Sequence, residues 1–228
     1  MLLIDSHIHV GQFNSFYISP IDLSQLMNKI GVDYYAVSST TICDEDYKKV
    51  LSEIYELIQL DGEKVLPIMW ITPESLKGNI AWFLESNIPW KCLKIHPYLH
   101  PDGWRPDGEL VQEVIDIARE LSLPLLIHTG NESYCYASRF EELYQQHPDI
   151  RFILAHGRPN NEAICLAKQY DNVFVDSAFM PIHEMKMFID NDISHKLLWG
   201  TDMCIPQCFY PDVDLKTYYQ SKLNKFRS

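Results

Sequence analysis

The chain has 228 residues, 46% of them apolar, enough to fill a substantial core and suited to one large α/β domain or two small ones. Its formal net charge of -12 argues against nucleic acid or an anionic membrane as a partner, since neither would be drawn to it. No run approaches the roughly 18 apolar residues of a membrane span. Met1 leads directly into a strand without a basic region or cleavage signal, so the expected compartment is the cytoplasm.

The first strand, Leu2 to Val10, ends in His7-Ile-His9. Residues two apart on a strand share a face, so these imidazoles can be offered to one metal ion. Gly11 to Ser19 reads as a loop, Pro20 opens a helix that Gly31 caps, and Val32 to Ser38 is a second strand. Asp44 to Leu60 has helical apolar spacing and stops at Asp61-Gly62; Val65 to Ile71 is a third strand, and a helix runs from Pro73 to Asn87. Trp90 to His96 is the fourth strand, followed by the longest loop, Pro97 to Gly108, and the clearest amphipathic helix, Glu109 to Leu121.

Strands five to eight follow as Leu125 to His128, Arg151 to His156, Val173 to Ser177 and Lys196 to Trp199. Between and after them lie helices at Ala137 to Gln146, Glu162 to Tyr170, Ile182 to Ile189 and Leu215 to Phe226. Eight alternations without a break in composition imply one domain over residues 1–228. Neither GxGxxG nor GxxxxGK[ST] follows any strand, which removes the usual reason for an open doubly wound sheet, and the unit count favours a (β/α)8 barrel.

Five of nine histidines sit at the carboxyl ends of these strands: His7, His9, His96, His128 and His156. In a barrel this is the face where active sites are built. Strand alternation lets His7, His9, His128, His156 and Asp202 point inward together, the last from Gly200-Thr-Asp202 after strand eight. Imidazoles with one carboxylate suit zinc, with manganese, iron or nickel as other occupants, better than magnesium or calcium. Such a metal generates a nucleophile by acidifying water, and Asp202 and His156 are the candidates to take and return protons.

With these residues placed, the chain resembles the amidohydrolase superfamily, in its amidohydrolase-related branch, family 2. The resemblance rests on Asp5-Ser-His-Ile-His9, Lys94-Ile-His-Pro97, Ile127-His128, Ala155-His156-Gly157 and Gly200-Thr-Asp202, a set that covers nearly the whole chain in order. It implies one or two divalent metals, with His7, His9, Asp202 and His128 as ligands. It also implies that His156 is either acid/base or a second-metal ligand, and that Lys94 bridges two metals if it is carboxylated. Similar chains continue further past the last helix, so an abbreviated C-terminal end is expected.

Each residue has a plainer reading. His7 and His9 alone would pass as hydrogen-bonded strand histidines, Lys94 as an inward cation neutralising carboxylates, and His96 as a packed histidine before Pro97 rather than a substrate contact. Asp5 is expected to support the site by hydrogen bonding. Cys204 and Cys208 follow strand eight and read as structural thiols; no cysteine pair has CxxC spacing. Tyr98, His100, Trp104, Arg105, Asn131, Tyr134 and Tyr136 are expected at a substrate rim, and Arg158 opposite a substrate carboxylate, unless the arginines only serve the surface.

Two reactions stand open. One is hydrolysis of a small carbonyl substrate, an amide, a lactone or a related group; the other is a lyase reaction, decarboxylation or hydration of a small carboxylated substrate. A third reading is a barrel that holds metal without turnover. The expected partner is a small molecule, and self-association into a homo-oligomer is left open.

Overall fold

Strands buried on both faces read as near-continuous apolar runs, and each apolar run above contains a strand in the computed structural model, which describes residues 2–227. The expectation placed on Met1 lies outside them. The chain divides into two units. The first takes in the residues up to Ile68, Asn79–Trp90 and the chain from Trp199 onward; the second takes in Met69–Gly78 and Lys91–Leu198. Among the described residues no helix is long and apolar enough to cross a membrane.

The first unit holds β1 (Ile4–Phe13), β2 (Phe16–Ile18), β3 (Tyr34–Ser39) and β4 (Val65–Trp70), except that Met69 and Trp70 fall in the second unit. Gly11 to Ser19 is not a loop: Gly11, Gln12 and Phe13 pair antiparallel with Ile18, Tyr17 and Phe16. Asn14 turns this hairpin in the left-handed conformation that asparagine tolerates, at φ 52. β1 also pairs in parallel with β3, Asp5 against Tyr35 and Ile8 against Val37. Three residues of β1 therefore step past two of β3, and the extra residue makes a bulge at Ser6-His7.

Beside β1 runs the segment that follows Trp199. Ser6 donates to the Trp199 carbonyl from both its backbone N–H and its hydroxyl at 2.8 Å. Asp202 N–H donates to His7 O at 2.8 Å, and His9 N–H donates to Met203 O. Ile8, Val10, Val37, Ile54, Leu57, Met203 and Tyr219 share one buried core, so packing and hydrogen bonding tie the two ends of the chain in the same place. The helix Pro20–Ile30 ends as expected at left-handed Gly31 (φ 85), and Ser19, read as loop, caps its start.

The helix expected from Asp44 starts later, at Tyr47, because Thr40–Asp44 forms a 3-10 turn and Asp46 caps Lys49 N–H. It carries Glu53, whose buried carboxylate accepts from the hydroxyls of Ser39 at 2.6 Å and Thr41 at 3.1 Å. Burial raises the Glu53 pKa, and those two hydroxyls only partly offset the rise. Gly11 lies against this group at φ +96.

The run expected as one helix from Pro73 to Asn87 is two short ones, Pro73–Gly78 and Ile80–Leu84, parted at Asn79 where φ is -135. In the second unit β5 (Cys92–Ile95), β6 (Leu125–His128), β7 (Phe152–Ala155), β8 (Val173–Asp176) and β9 (Leu197–Leu198) pair in parallel in that order. The helix Glu109–Leu121 buries Val111, Val114, Ile115 and Ala118, the stripe its spacing implies. Trp104 departs from expectation: it is fully buried, so it belongs to the core and not to a substrate rim.

A side chain at Gly11 would meet a positive φ and would place Cβ 2.4 Å from Thr41 Oγ1 and 2.6 Å from Glu53 Oε2. Gly11→Ala is expected to destabilise the chain by about 1–3 kcal/mol, the usual cost of one strained backbone position. Urea unfolding measures this, and an unchanged midpoint would show that the Glu53 group is not packed as described.

Candidate metal centre

His7 and His9 stand on β1 on either side of Ile8, with ring centroids 5.1 Å apart. The bulge at Ser6-His7 re-aims His7, as bulges beside functional sites commonly do. Asp202 reaches both rings: its Oδ1 lies 2.9 Å from His9 Nε2 and 3.5 Å from His7 Nε2. All three side chains are buried, and the three potential ligand atoms lie within 4.8 Å of one another.

Two neighbours fix this arrangement. His9 Nδ1 lies 3.3 Å from the Ser38 carbonyl and 3.1 Å from its hydroxyl. A carbonyl only accepts, so an Nδ1–H can donate to it, and Nε2 is the ring atom turned toward Asp202. Asp5, also fully buried, accepts from His7 N–H at 3.2 Å, from Thr201 N–H at 3.1 Å and from the Thr201 hydroxyl at 2.7 Å. It thus ties the histidine strand to the residue before Asp202. Asp202 itself is left-handed at φ 58, a conformation that asparagine and aspartate tolerate better than most residues.

The second unit gathers a different set. His128, the last residue of β6, stacks on His96 with centroids 3.8 Å apart and planes 16° apart. His96 stacks in turn on Trp70 at 5.2 Å and 13°. Lys94 is buried, with Nζ 4.2 Å from the centroid of the Trp70 ring. His156 follows β7 at φ 68, its ring 4.8 Å from that of His128, and its Nδ1 lies 3.1 Å from the Ala178 carbonyl. Gly157 continues the turn at φ +55 where a Cβ would sit 2.5 Å from Val175 Cγ1, so the residue after His156 must be glycine.

The expected rim residues separate. Tyr98 is half exposed and lies 6.1 Å from the His128 ring and 6.3 Å from that of Tyr134. Arg105 is exposed and makes two hydrogen bonds to Asp107, at 3.3 and 3.1 Å, which fits its surface alternative. Arg158 is partly buried and its backbone is held by Thr129 Oγ1 and Ala137 N–H. Cys204 is buried, and that burial pushes its thiol well above the ordinary range, as expected of a structural cysteine.

Sequence reasoning passed over Ser38, Thr201, Trp70 and Asp176. Asp176 closes β8, is fully buried, and accepts from Ala178 N–H at 2.8 Å and from His156 N–H at 3.5 Å. Its signal was present: a carboxylate at the carboxyl end of an apolar strand. Ser38, Thr201 and Trp70 carry no comparable mark, since their parts come from partners distant in sequence.

The fold is that of the TIM-barrel proteins. An uncharacterized TIM-barrel protein from Bordetella bronchiseptica superposes with a TM-score of 0.71 at 14% identity, over 98% of this chain and 91% of the other. A probable 2-pyrone-4,6-dicarboxylic acid hydrolase from Acinetobacter baumannii does so at 0.71 and 10%, over 100% and 93%. A manganese complex of 5-carboxyvanillate decarboxylase from Novosphingobium aromaticivorans gives 0.61 and 11%, over 89% and 86%. A search of curated proteins finds no match. The amidohydrolase family model matches residues 91–228, more than half of the chain. The chain belongs to the amidohydrolase family and is an enzyme of that class, which sets aside the reading of a metal-holding barrel without turnover.

The donor set fits a divalent transition cation: two imidazole nitrogens and one carboxylate oxygen, buried and convergent. Asp5→Ala would leave the Thr201 hydroxyl and two backbone N–H groups without this acceptor. A loss of at least about 1–3 kcal/mol is expected, the cost of one buried polar group left unpaired; if His7, His9 and Asp202 ligate a metal, zinc affinity is expected to fall about 10–100-fold with their support. Urea unfolding and chelator competition read the two effects. Wild-type values in both would contradict the tie.

Proposed function

We propose that this enzyme is a metal-dependent hydrolase acting on a small carbonyl substrate, an amide, a lactone or a related group. The observation that carries the reading is the buried convergence of His7, His9 and Asp202. These three are the proposed ligands of a divalent cation, zinc before manganese, iron or nickel. When bound, such a cation acidifies a water and polarises a carbonyl oxygen. His128 is proposed as a further metal-binding histidine. Lys94 faces the electron-rich ring of Trp70, which favours an ammonium over an anionic carbamate and so supports one ion over two.

The chain's own groups then have distinct tasks. Ser38 holds His9 in the tautomer whose Nε2 can ligate. Asp202 is assigned both the ligand and the proton-acceptor role on its approach to both imidazoles. His156 Nδ1 lies against the Ala178 carbonyl, which orients the ring; we assign His156 the acid/base role, with second-metal ligation as the alternative. Tyr98 and Arg158 are the proposed substrate contacts, with His96 after them, while Arg105, bonded to Asp107, is assigned to the surface. A small molecule is the proposed partner and the cytoplasm the proposed compartment.

A lyase reading is favoured by the decarboxylase of the same fold that carries manganese. Product analysis separates the two: release of an amine or acid with uptake of water supports the hydrolase, and release of CO₂ or hydration of a double bond supports the lyase. Protein purified without added metal is expected to hold about one equivalent of transition metal per chain, mostly lost in His7→Ala, as site-bound metal requires its ligand set. Elemental analysis of both proteins checks this. Less than about a tenth of an equivalent, not recovered on adding zinc or manganese, would sink the metal-dependent reading.

A further inference from the structure

We propose that Trp70 and His96 are positioning residues that set the plane of the His128 imidazole. The inference rests on the reading of His128 as a metal-binding histidine. The terminal torsion of a histidine is broad, so the backbone of β6 alone does not fix the ring plane. Stacking does. His128 lies 3.8 Å from His96 with planes 16° apart, and His96 lies 5.2 Å from Trp70 with planes 13° apart, which makes three near-parallel rings in series.

Each end of the series is anchored. Trp70 is buried, and the Lys94 ammonium 4.2 Å from its centroid holds the ring by a cation–π contact. His96 Nδ1 accepts from Leu99 N–H at 3.3 Å, so the middle ring is locked to the loop that follows β5. At the far end the His156 ring meets His128 at 4.8 Å and 71°, edge against face. Rotation of His128 about its terminal torsion would drive its ring into His96. A functional side chain needs its geometry held to about 0.5 Å and 10–20°, and a parallel neighbour at 3.8 Å supplies that restraint. His96 thereby receives a role other than substrate contact: it acts through its flat face.

The test separates ring from hydrogen bond. His96→Phe keeps a flat ring and loses the Nδ1 acceptor; His96→Asn keeps an acceptor and loses the ring. Trp70→Phe and Trp70→Leu do the same for ring and bulk. Histidine-labelled, metal-free protein is observed by NMR, with the His128 ring signal assigned by its loss in His128→Gln. The signal is expected upfield from ring currents, nearly unmoved in the two Phe variants, and shifted or broadened in Trp70→Leu and His96→Asn.

Zinc affinity by chelator competition is expected to fall about tenfold or more in Trp70→Leu and His96→Asn, the lower end of the loss seen when a ligand's support is removed. In the Phe variants it should stay within about threefold of wild type, well short of that loss. Equal losses in His96→Phe and His96→Asn would overturn the stacking role in favour of the nitrogen. Affinity that falls in His128→Gln but is unmoved by Trp70→Leu and His96→Asn overturns this inference alone. Unchanged affinity in His128→Gln overturns the reading of His128 as metal-binding, and the inference with it.

Discussion

A carboxylate shut away from water is costly unless donors surround it, and Asp5 is such a group. It accepts from His7 N–H, Thr201 N–H and the Thr201 hydroxyl, so one buried anion joins residues 196 positions apart in sequence. The rest of the first unit's chemistry depends on that joint. With Thr201 held against β1, Asp202 N–H meets the His7 carbonyl, and the Asp202 carboxylate falls within reach of both imidazoles. Hydrophobic burial supplies most of the driving force, through Ile8, Val10 and Met203. It does not by itself choose the register that brings these three side chains together. The Asp5 hydrogen bonds, being directional and expensive to break in the interior, do.

The two units solve the problem of holding an imidazole still in different ways. In the first unit His9 is held by hydrogen bonds to Ser38, which set the tautomer as well as the direction. In the second unit His128 is held by a stacked ring, which sets the plane, while His156 is held by the Ala178 carbonyl at its Nδ1. The backbone contributes too: left-handed His156 and Gly157 make the sharp turn after β7, and Asp176 gathers the amides of His156 and Ala178. Glycine takes left-handed backbone freely, and histidine, like asparagine and aspartate, adopts it more often than most residues.

Much of this was legible in the sequence because parallel, doubly buried strands leave an unbroken apolar signature and because histidines at their carboxyl ends stand out against it. Leu125–His128 has its expected bounds, and Gly31 caps its helix as the glycine implied. The supporting role assigned to Asp5 matches the bonds it makes. What escaped was set by contacts distant in sequence or by single-residue irregularities. The β1–β2 hairpin hides in a stretch too short for alternation to register, and the bulge at Ser6-His7 costs one residue of register that no local pattern reveals. Trp104 in a polar loop looks like a surface aromatic until the core closes over it. Trp70 beside His96 is a pairing between strands, visible only once they are neighbours.

Anomalous diffraction from crystals grown with zinc decides whether His7, His9 and Asp202 hold a divalent cation. The expected result is an anomalous peak about 2.0–2.2 Å from Nε2 of both histidines and from the Asp202 carboxylate, the ordinary zinc–ligand distances. Zinc bound elsewhere in the same crystals, with no density among these three side chains, would contradict it.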